Sequence, residues 1–356
     1  LIFTNKPRNS FLPQKHLKTS QKKLLKWYET NGRQDLPWRN TEDVYAIYVS
    51  EIMLQQTQVK RVAEEYYFQF LEKFPSLLAL SQAPLEEVFG MWSGLGYYRR
   101  AKNLHASAIL CSDRLPKDMK SLQHLPGIGK YTASAICSFG YHQKVSVVDT
   151  NIARVLARFF GVEDAKEAQL WELADSFLNT KNPTEHNLAL MDLGSLVCLP
   201  KIPTCAVSAS EEVLLGCQLS ESEEHLSGCQ VCPLFENCKG KEEPSKYYKT
   251  KSKVYEEKKL HYGVCVKDGT IAMKISKEGM YKDMLELPSI ETFCHVESLL
   301  GSFKHSVTKY RLDVHLYHLD ALEEEVVWMP LSELHTAPIS SLTQKALKLY
   351  KEVKRD

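Results

Sequence analysis

The sequence contains no apolar run long enough to cross a bilayer, so no helical membrane anchor is expected within it. Surplus charge of either sign is also missing. Lys and Arg number 45 against 44 Asp and Glu, and a net charge of +1 gives the whole molecule no pull toward a polyanion. Locally the balance breaks: no acid precedes Glu29, while Lys6, Arg8, Lys15, Lys18, Lys22, Lys23 and Lys26 all do. Residues 1–19 therefore read as a loose basic arm, either a solvated tail or a segment that touches phosphates. Nor does LIFTNKPRNS carry the apolar stretch of a secretory leader. Ten cysteines without such a leader point to a reducing compartment, and to metal ligands or buried thiols in place of disulfides. At 356 residues the chain exceeds what one compact core usually covers, so two domains are expected.

The most informative stretch is Leu125 to Asn151, LPGIGKYTASAICSFGYHQKVSVVDTN. Helix-compatible residues from Asp118 to His124 lead into the turn Pro126-Gly127-Ile128-Gly129-Lys130, and a second helix follows from Tyr131. Gly127 and Gly129 let the backbone turn sharply and bring bare N–H groups to the start of that helix, where Lys130 adds positive charge. The arrangement suits a phosphate clamp, although a tight turn alone needs no ligand.

Leu125-Pro-Gly-Ile-Gly-Lys-Tyr-Thr-Ala133, with Val147-Val-Asp-Thr-Asn151 downstream, resembles the helix–hairpin–helix of the endonuclease III superfamily of DNA glycosylases. Bifunctional members of that superfamily carry a Schiff-base lysine where this chain has Tyr131, and a phenol forms no imine. Tyrosine there is the pattern of the MutY family of adenine DNA glycosylases, and the resemblance runs from about Trp27 to the C-terminus. It implies double-stranded DNA containing adenine opposite 8-oxoguanine or guanine as substrate, a monomeric enzyme acting in base excision repair, and a location inside the cell (cytoplasmic and nucleoid-associated if bacterial). An oxidised-pyrimidine glycosylase/lyase like endonuclease III, and a non-catalytic iron–sulfur DNA-binding protein, are the alternatives.

Taken in order, Ser20 to Tyr28 begins a helix, and Asp43 to Phe74 shows long helical periodicity with an apolar stripe through Tyr45, Tyr48, Val49, Ile52 and Met53. On such a helix Glu51, Gln55 and Gln58 share a face. A glutamate here could simply pair with a surface lysine. The resemblance instead makes Glu51, within Ser50-Glu-Ile-Met-Leu-Gln-Gln-Thr57, the catalytic acid, whose pKa partial burial would raise. Gly94-Leu-Gly-Tyr-Tyr-Arg-Arg100 combines glycines, aromatics and arginines as a nucleic-acid loop does. By resemblance Tyr97 is the wedge, Arg99 a phosphate contact, and Gln55 a residue close to the duplex. Asp149 can be read as the N-cap of a helix from Asn151 to Phe160 or as an ionised carboxylate beside the sugar, with Asn151 and Tyr131 orienting the site.

Family members bind a [4Fe–4S] cluster through Cys-x6-Cys-x2-Cys-x5-Cys. Here Cys198 and Cys205 fit the first interval, while Cys229, Cys232 and Cys238 fit the other two, with Ala206 to Gly228 inserted between. Loop-closure entropy favours Cys198, Cys229, Cys232 and Cys238, with Cys205 the rival for the second place; thiolates would also accept zinc.

Lys239 to Lys259 reads as an exposed linker. Strands are expected at His261 to Val266, Thr270 to Ile275 and Tyr310 to His318, and helices near His295 to Leu300 and Leu342 to Val353. The expected architecture is multidomain. An all-α helix–hairpin–helix glycosylase domain occupies 20–238, with the hairpin at 118–138 and the cluster loop at 198–238. A linker covers 239–259, and an α+β, Nudix-like recognition domain covers 260–356. Ile290 to Gly301 offers only Glu291 and Glu297 where Nudix hydrolases need a glutamate-rich metal helix. Val307-Thr308-Lys309 stands where the family reads the lesion with Phe-Ser-His, so Thr308 keeps only a hydroxyl there.

Overall fold

The computed structural model describes residues 12–201, 231–248, 254–277, 281, 284–290, 299–307, 309–322, 325–334 and 337–354. In chain order the helices are α1 Gln14–Asn31, α2 Val44–Met53, α3 Val59–Arg61, α4 Tyr67–Lys73, α5 Leu77–Gln82, α6 Leu85–Met91 and α7 Arg99–Cys111. They continue as α8 Met119–Gln123, α9 Lys130–Ala135, α10 Thr150–Phe160, α11 Glu167–Phe177, α12 Pro183–Leu196 and α13 Ser341–Val353. The strands are β1 Glu256–Val264, β2 Val266–Lys267, β3 Thr270–Ile275, β4 Leu285–Glu286, β5 Leu299–Val307, β6 Tyr310–His318 and β7 Val327–Pro330. Contacts divide the chain into two compact units, Leu1–Glu51 with Leu115–Lys251 and Ile52–Arg114 with Ser252–Asp356.

The first unit is helical, and α10 shows how its sequence builds it. Asp149 caps the start, its Oδ1 accepting from the Ile152 N–H at 2.7 Å, and Gly161 ends it in the left-handed region at φ +65°. Between them Ile152, Val155, Leu156, Phe159 and Phe160 fall on one face and bury completely against Phe177, Leu190 and Leu193. Each such side chain contributes about 1.5–3 kcal/mol by leaving water. The first helix starts six residues before the expected Ser20, because Pro13 sets the entry and Leu17 and Ser20 already bury. Lys239 to Pro244 is not a free linker either. The Lys239 and Gly240 N–H groups donate to Phe159 O and Arg158 O at 3.1 and 2.8 Å, and Arg158 Nε donates to Pro244 O at 2.9 Å.

The long helix expected over Asp43 to Phe74 is broken, and its part after Glu51 belongs to the second unit. The helix α2 stops at Met53, Gln56 takes a left-handed φ of +58°, and helical structure resumes at Val59 with a π segment at Val62–Tyr66. The expected common face of Glu51, Gln55 and Gln58 therefore does not form. Its cause lies forty-odd residues on: the buried Arg100 guanidinium donates to the carbonyls of Ile52, Met53 and Gln55 at 2.9, 2.8 and 2.7 Å. Those are the carbonyls a helix end leaves unsatisfied.

The remainder of this unit is a mixed α/β region. In one sheet β6 lies between β1, parallel to it, and β5, antiparallel; in the other β3 pairs with β2, β4 and β7. Val264, Ile271, Met273, Val314 and Leu316 form its core with Leu342, Ala346 and Leu347 of α13. The three expected strands and the last helix are present. Leu299 and Leu300, expected as the end of a helix, begin β5 instead, because Leu299 pairs with Tyr317 and Gly301 with Leu316 on β6, with Leu300 at an irregularity between them; residues 291–298, with Glu291 and Glu297, lie outside the described residues. No helix among the described residues is long and apolar enough to cross a membrane.

Candidate active site

Four of the expected site residues converge within the first unit. Glu51 sits near the end of α2 and is only 6 % exposed. Tyr131, in the first turn of α9, donates its hydroxyl to Glu51 Oε2 at 2.8 Å across a sequence separation of 80 residues. Burial pushes the Glu51 carboxyl up to about 7; Asp149 adds to the rise, and the Tyr131 hydrogen bond and Arg39 oppose it. Tyr131 is itself held well above its ordinary value, first by burial and then by the two carboxylates, so it stays a donor.

Asp149 is both helix cap and site carboxylate. Besides the Ile152 N–H on Oδ1, the Asn151 amide donates to its Oδ2 at 3.0 Å. Both contacts are donors, the surroundings that suit an ionised carboxylate. Burial nevertheless raises its pKa, outweighing these donors and Arg154, where the helix start was expected to hold it down. Asn151 is oriented in turn: Arg154 Nη2 donates to its Oδ1 at 2.9 Å and also to Gly194 O at 2.6 Å. A Cβ on Gly194 would meet Asn151 Cβ at 2.7 Å, so glycine allows this approach of α12 to α10.

The sequence reading missed a second ionic group, whose Arg39 also acts on Glu51. Asp192 is fully buried and accepts from Arg39 Nη1 and Nη2 at 2.6 and 2.8 Å, and from Arg33 Nε, Nη2 and backbone N–H. Burial raises the Asp192 pKa, but the two arginines outweigh it and the net direction is down. The only sequence hint was an aspartate inside the apolar run Met191-Asp-Leu-Gly.

The turn between α8 and α9 has the expected form. Gly127 takes φ +76°, Gly129 is the N-cap of α9 with open space where a Cβ would stand, and Asp118 caps α8. The Lys130 ammonium is exposed and lies 4.0 Å over the Trp171 ring of α11, a cation–π contact.

Gln55, Tyr97 and Arg99 lie in the second unit. Tyr97 is 39 % exposed at a left-handed φ of +50°, and Arg99 is exposed at the start of α7. Their neighbours correct the expectation of a whole loop devoted to nucleic acid. Tyr98 is buried and donates to Ile339 O at 2.9 Å, and Arg100 is buried beneath the loop. Thr308 lies outside the described residues, between Val307 and Lys309 of the β5–β6 turn.

Cys198, Cys232 and Cys238 line one concavity walled by Val155, Phe159, Leu193 and Leu234. Arg158 crosses it, donating from Nη1 to Cys198 Sγ at 3.3 Å and Leu199 O at 2.6 Å, and from Nη2 to Pro200 O at 3.0 Å. A cluster held by thiolates in an apolar, cationic setting fits these walls. Among the described residues no three metal-ligating side chains close on a single ion, and Cys205 and Cys229 lie outside those residues.

Residues 49–178 match the model of the HhH-GPD superfamily of base excision DNA repair proteins. Similar curated proteins include an adenine DNA glycosylase of Buchnera aphidicola subsp. Schizaphis graminum, 28 % identical over 92 % of this chain and 97 % of that one. Another is an adenine DNA glycosylase of Homo sapiens, 43 % identical over 51 % of this chain and 36 % of that one, so the chain spans only about a third of the human protein's length in that match. A solved thermostable thymine-DNA glycosylase superposes with a TM-score of 0.54 at 28 % identity, over 64 % of this chain and 97 % of that one. Residues 49–178 thus carry a helix–hairpin–helix domain of the base-excision repair class. Within that class, the curated proteins it is similar to are adenine DNA glycosylases.

Proposed function

We propose that the chain hydrolyses the N-glycosidic bond of adenine paired with 8-oxoguanine or guanine in duplex DNA, as a monofunctional glycosylase. The observation that carries this reading is the Tyr131–Glu51 hydrogen bond beside Asp149. A phenol occupies the position a lyase would give to an amine, and it is spent on orienting a carboxyl that still holds a proton near neutral pH. Adenine must leave the stack to reach Glu51, at a cost of a few kcal/mol. Protonation at N7 by Glu51 weakens the bond to the sugar, and Asp149 faces the positive charge that develops on the deoxyribose, by electrostatics or a transient covalent bond. Glu51, now ionised, then activates the water that completes hydrolysis. Two carboxyl groups thus take opposite roles because their surroundings differ.

Gly127, Gly129 and Lys130 would hold the backbone of the duplex, and Tyr97, Gln55 and Arg99 would approach the mispair. Cys198, Cys229, Cys232 and Cys238 would hold a [4Fe–4S] cluster, with Cys205 as the competitor for the second place; the cluster's contribution is to fix a loop. We assign glycosylase work to residues 20–238 and reading of the opposite base to a Nudix-like region over 260–356, with Thr308 and its neighbours at the lesion. Lacking the aromatic and the histidine, this loop would keep only the Thr308 hydroxyl for reading the lesion.

The test is single-turnover cleavage of duplexes carrying adenine opposite 8-oxoguanine, guanine or thymine, with alkali added to cut abasic sites. Release should be fast, slower and absent in that order. Equal rates opposite 8-oxoguanine and guanine would keep the chemistry and remove lesion reading; no release from any duplex would overturn the assignment in favour of a non-catalytic DNA-binding protein.

A further inference from the structure

We propose that Arg100 is a positioning residue that sets Gln55 and Tyr97 as one rigid element, so that the two side chains approach the mispair in a fixed relation. The proposal rests on the functional reading above for its purpose, though not for its geometry. Arg100 is 8 % exposed and cannot itself reach DNA. From one side its Nη1 gathers the carbonyls of Ile52, Met53 and Gln55. From the other its Nη2 holds Thr57 Oγ1 at 3.2 Å, Leu95 O at 3.1 Å and Gly96 O at 3.0 Å. Its plane also lies 5.4 Å from the Trp92 ring centroid and 5.6 Å from that of Tyr97.

Both loops it bridges are held in conformations that L-residues rarely adopt. Gln56 has φ +58° and Tyr97 +50°, flanked by Gly94 at +95° and Gly96 at +73°. A non-glycine residue in the left-handed region costs roughly 1–2 kcal/mol, and persists only where surrounding contacts over-determine it. Here one side chain makes those contacts for both loops. None of the six acceptors is a carboxylate, so a buried cation is balanced only by oriented carbonyls and a hydroxyl. Burial draws the guanidinium down to about 10, which still leaves it charged at neutral pH. Such an arrangement needs a planar fork with donors in fixed directions; lysine, with the same charge, cannot serve six acceptors.

The test has two parts, both on the full chain with its iron retained. Hydrogen exchange of Arg100→Lys without DNA should show amides 54–58 and 94–98 loosening together while α10 keeps its protection. Loosening of one loop alone, or of neither, would overturn the proposal. If Arg100→Lys does not fold, Thr57→Val removes one acceptor and should loosen the same two loops to a smaller degree.

The second part measures affinity for a duplex with adenine opposite 8-oxoguanine in Arg100→Lys, Tyr97→Ala and the double variant. Each single change should weaken binding about tenfold, and the double no more than the weaker single, because coupled residues do not add. Multiplying losses, near a hundredfold, would make Arg100 a general stabiliser and end the proposal. A parent chain that binds the duplex but releases no adenine would remove the glycosylase reading and leave this coupling standing.

Discussion

At the scale of single residues the site turns on where protons rest. Glu51 stands raised from 4.5 to about 7, so its protonated form dominates below neutrality. Base release should therefore fall as pH rises through about 7. Glu51→Gln should lower release by about a hundredfold or more while keeping duplex affinity. The same shift has a stability cost with a definite sign. A carboxyl whose pKa is higher folded than unfolded contributes fully below about 4.5 and loses that contribution as pH rises through about 7. Glu51→Gln should match the parent in urea unfolding at pH 4 and exceed it by up to about 3 kcal/mol at pH 9. No gain at pH 9 would mean that Glu51 is not buried as a strained carboxyl. The identities of Glu51, Asp149 and Tyr131 were legible through motif resemblance. Their bonding was not, because Tyr131 meets Glu51 across 80 residues and no spacing encodes that.

Among the elements, α8, α10 and α13 were expected from local pattern, and in the structure Asp118, Asp149 and Ser340 cap them and Gly161 stops α10. Failures came where a distant side chain decides. Arg100 ends α2 at Met53 although the apolar periodicity continues to Phe74. Similarly, β5 carries the weak pattern LLGSFKHSV, and its register comes from pairing with β6. Asp192 is another long-range decision, tying α12 to Arg33 and Arg39 in the segment between α1 and α2. Asp192→Ala would leave two arginine heads without their carboxylate, one of them 5 % exposed. Unfolding stability should drop by about 3–5 kcal/mol, measured by urea titration. A loss under about 1 kcal/mol would place the pair among the weak surface bridges.

For the whole molecule, the absence of net charge said little, since cations are deployed singly: Lys130 on the hairpin, Arg99 on the loop, Arg158 beside the cysteines. The cysteine spacing led to the expectation of a cluster loop, and Cys198, Cys232 and Cys238 line one concavity. Replacing Cys229, Cys232 or Cys238 with serine should lower the iron content of the purified protein, whereas replacing Cys205 should leave it unchanged. The reverse result for Cys205 and Cys229 would exchange them as ligands. The two contact units also cut across the order of textures in the sequence, grouping Ile52–Arg114 with Ser252–Asp356. Local pattern carries no information on that grouping.

The ends of two helices carry one more consequence. Glu51 lies in the last turn of α2, whose final carbonyls accept from Arg100, and Asp149 caps the positive pole of α10. The positive pole at Asp149 thus biases a shared proton away from the aspartate, and so toward the glutamate, before any solvent or substrate is considered. A single mobile proton placed between these two groups would have a preferred direction, and the adenine would be met by the end that can give it away.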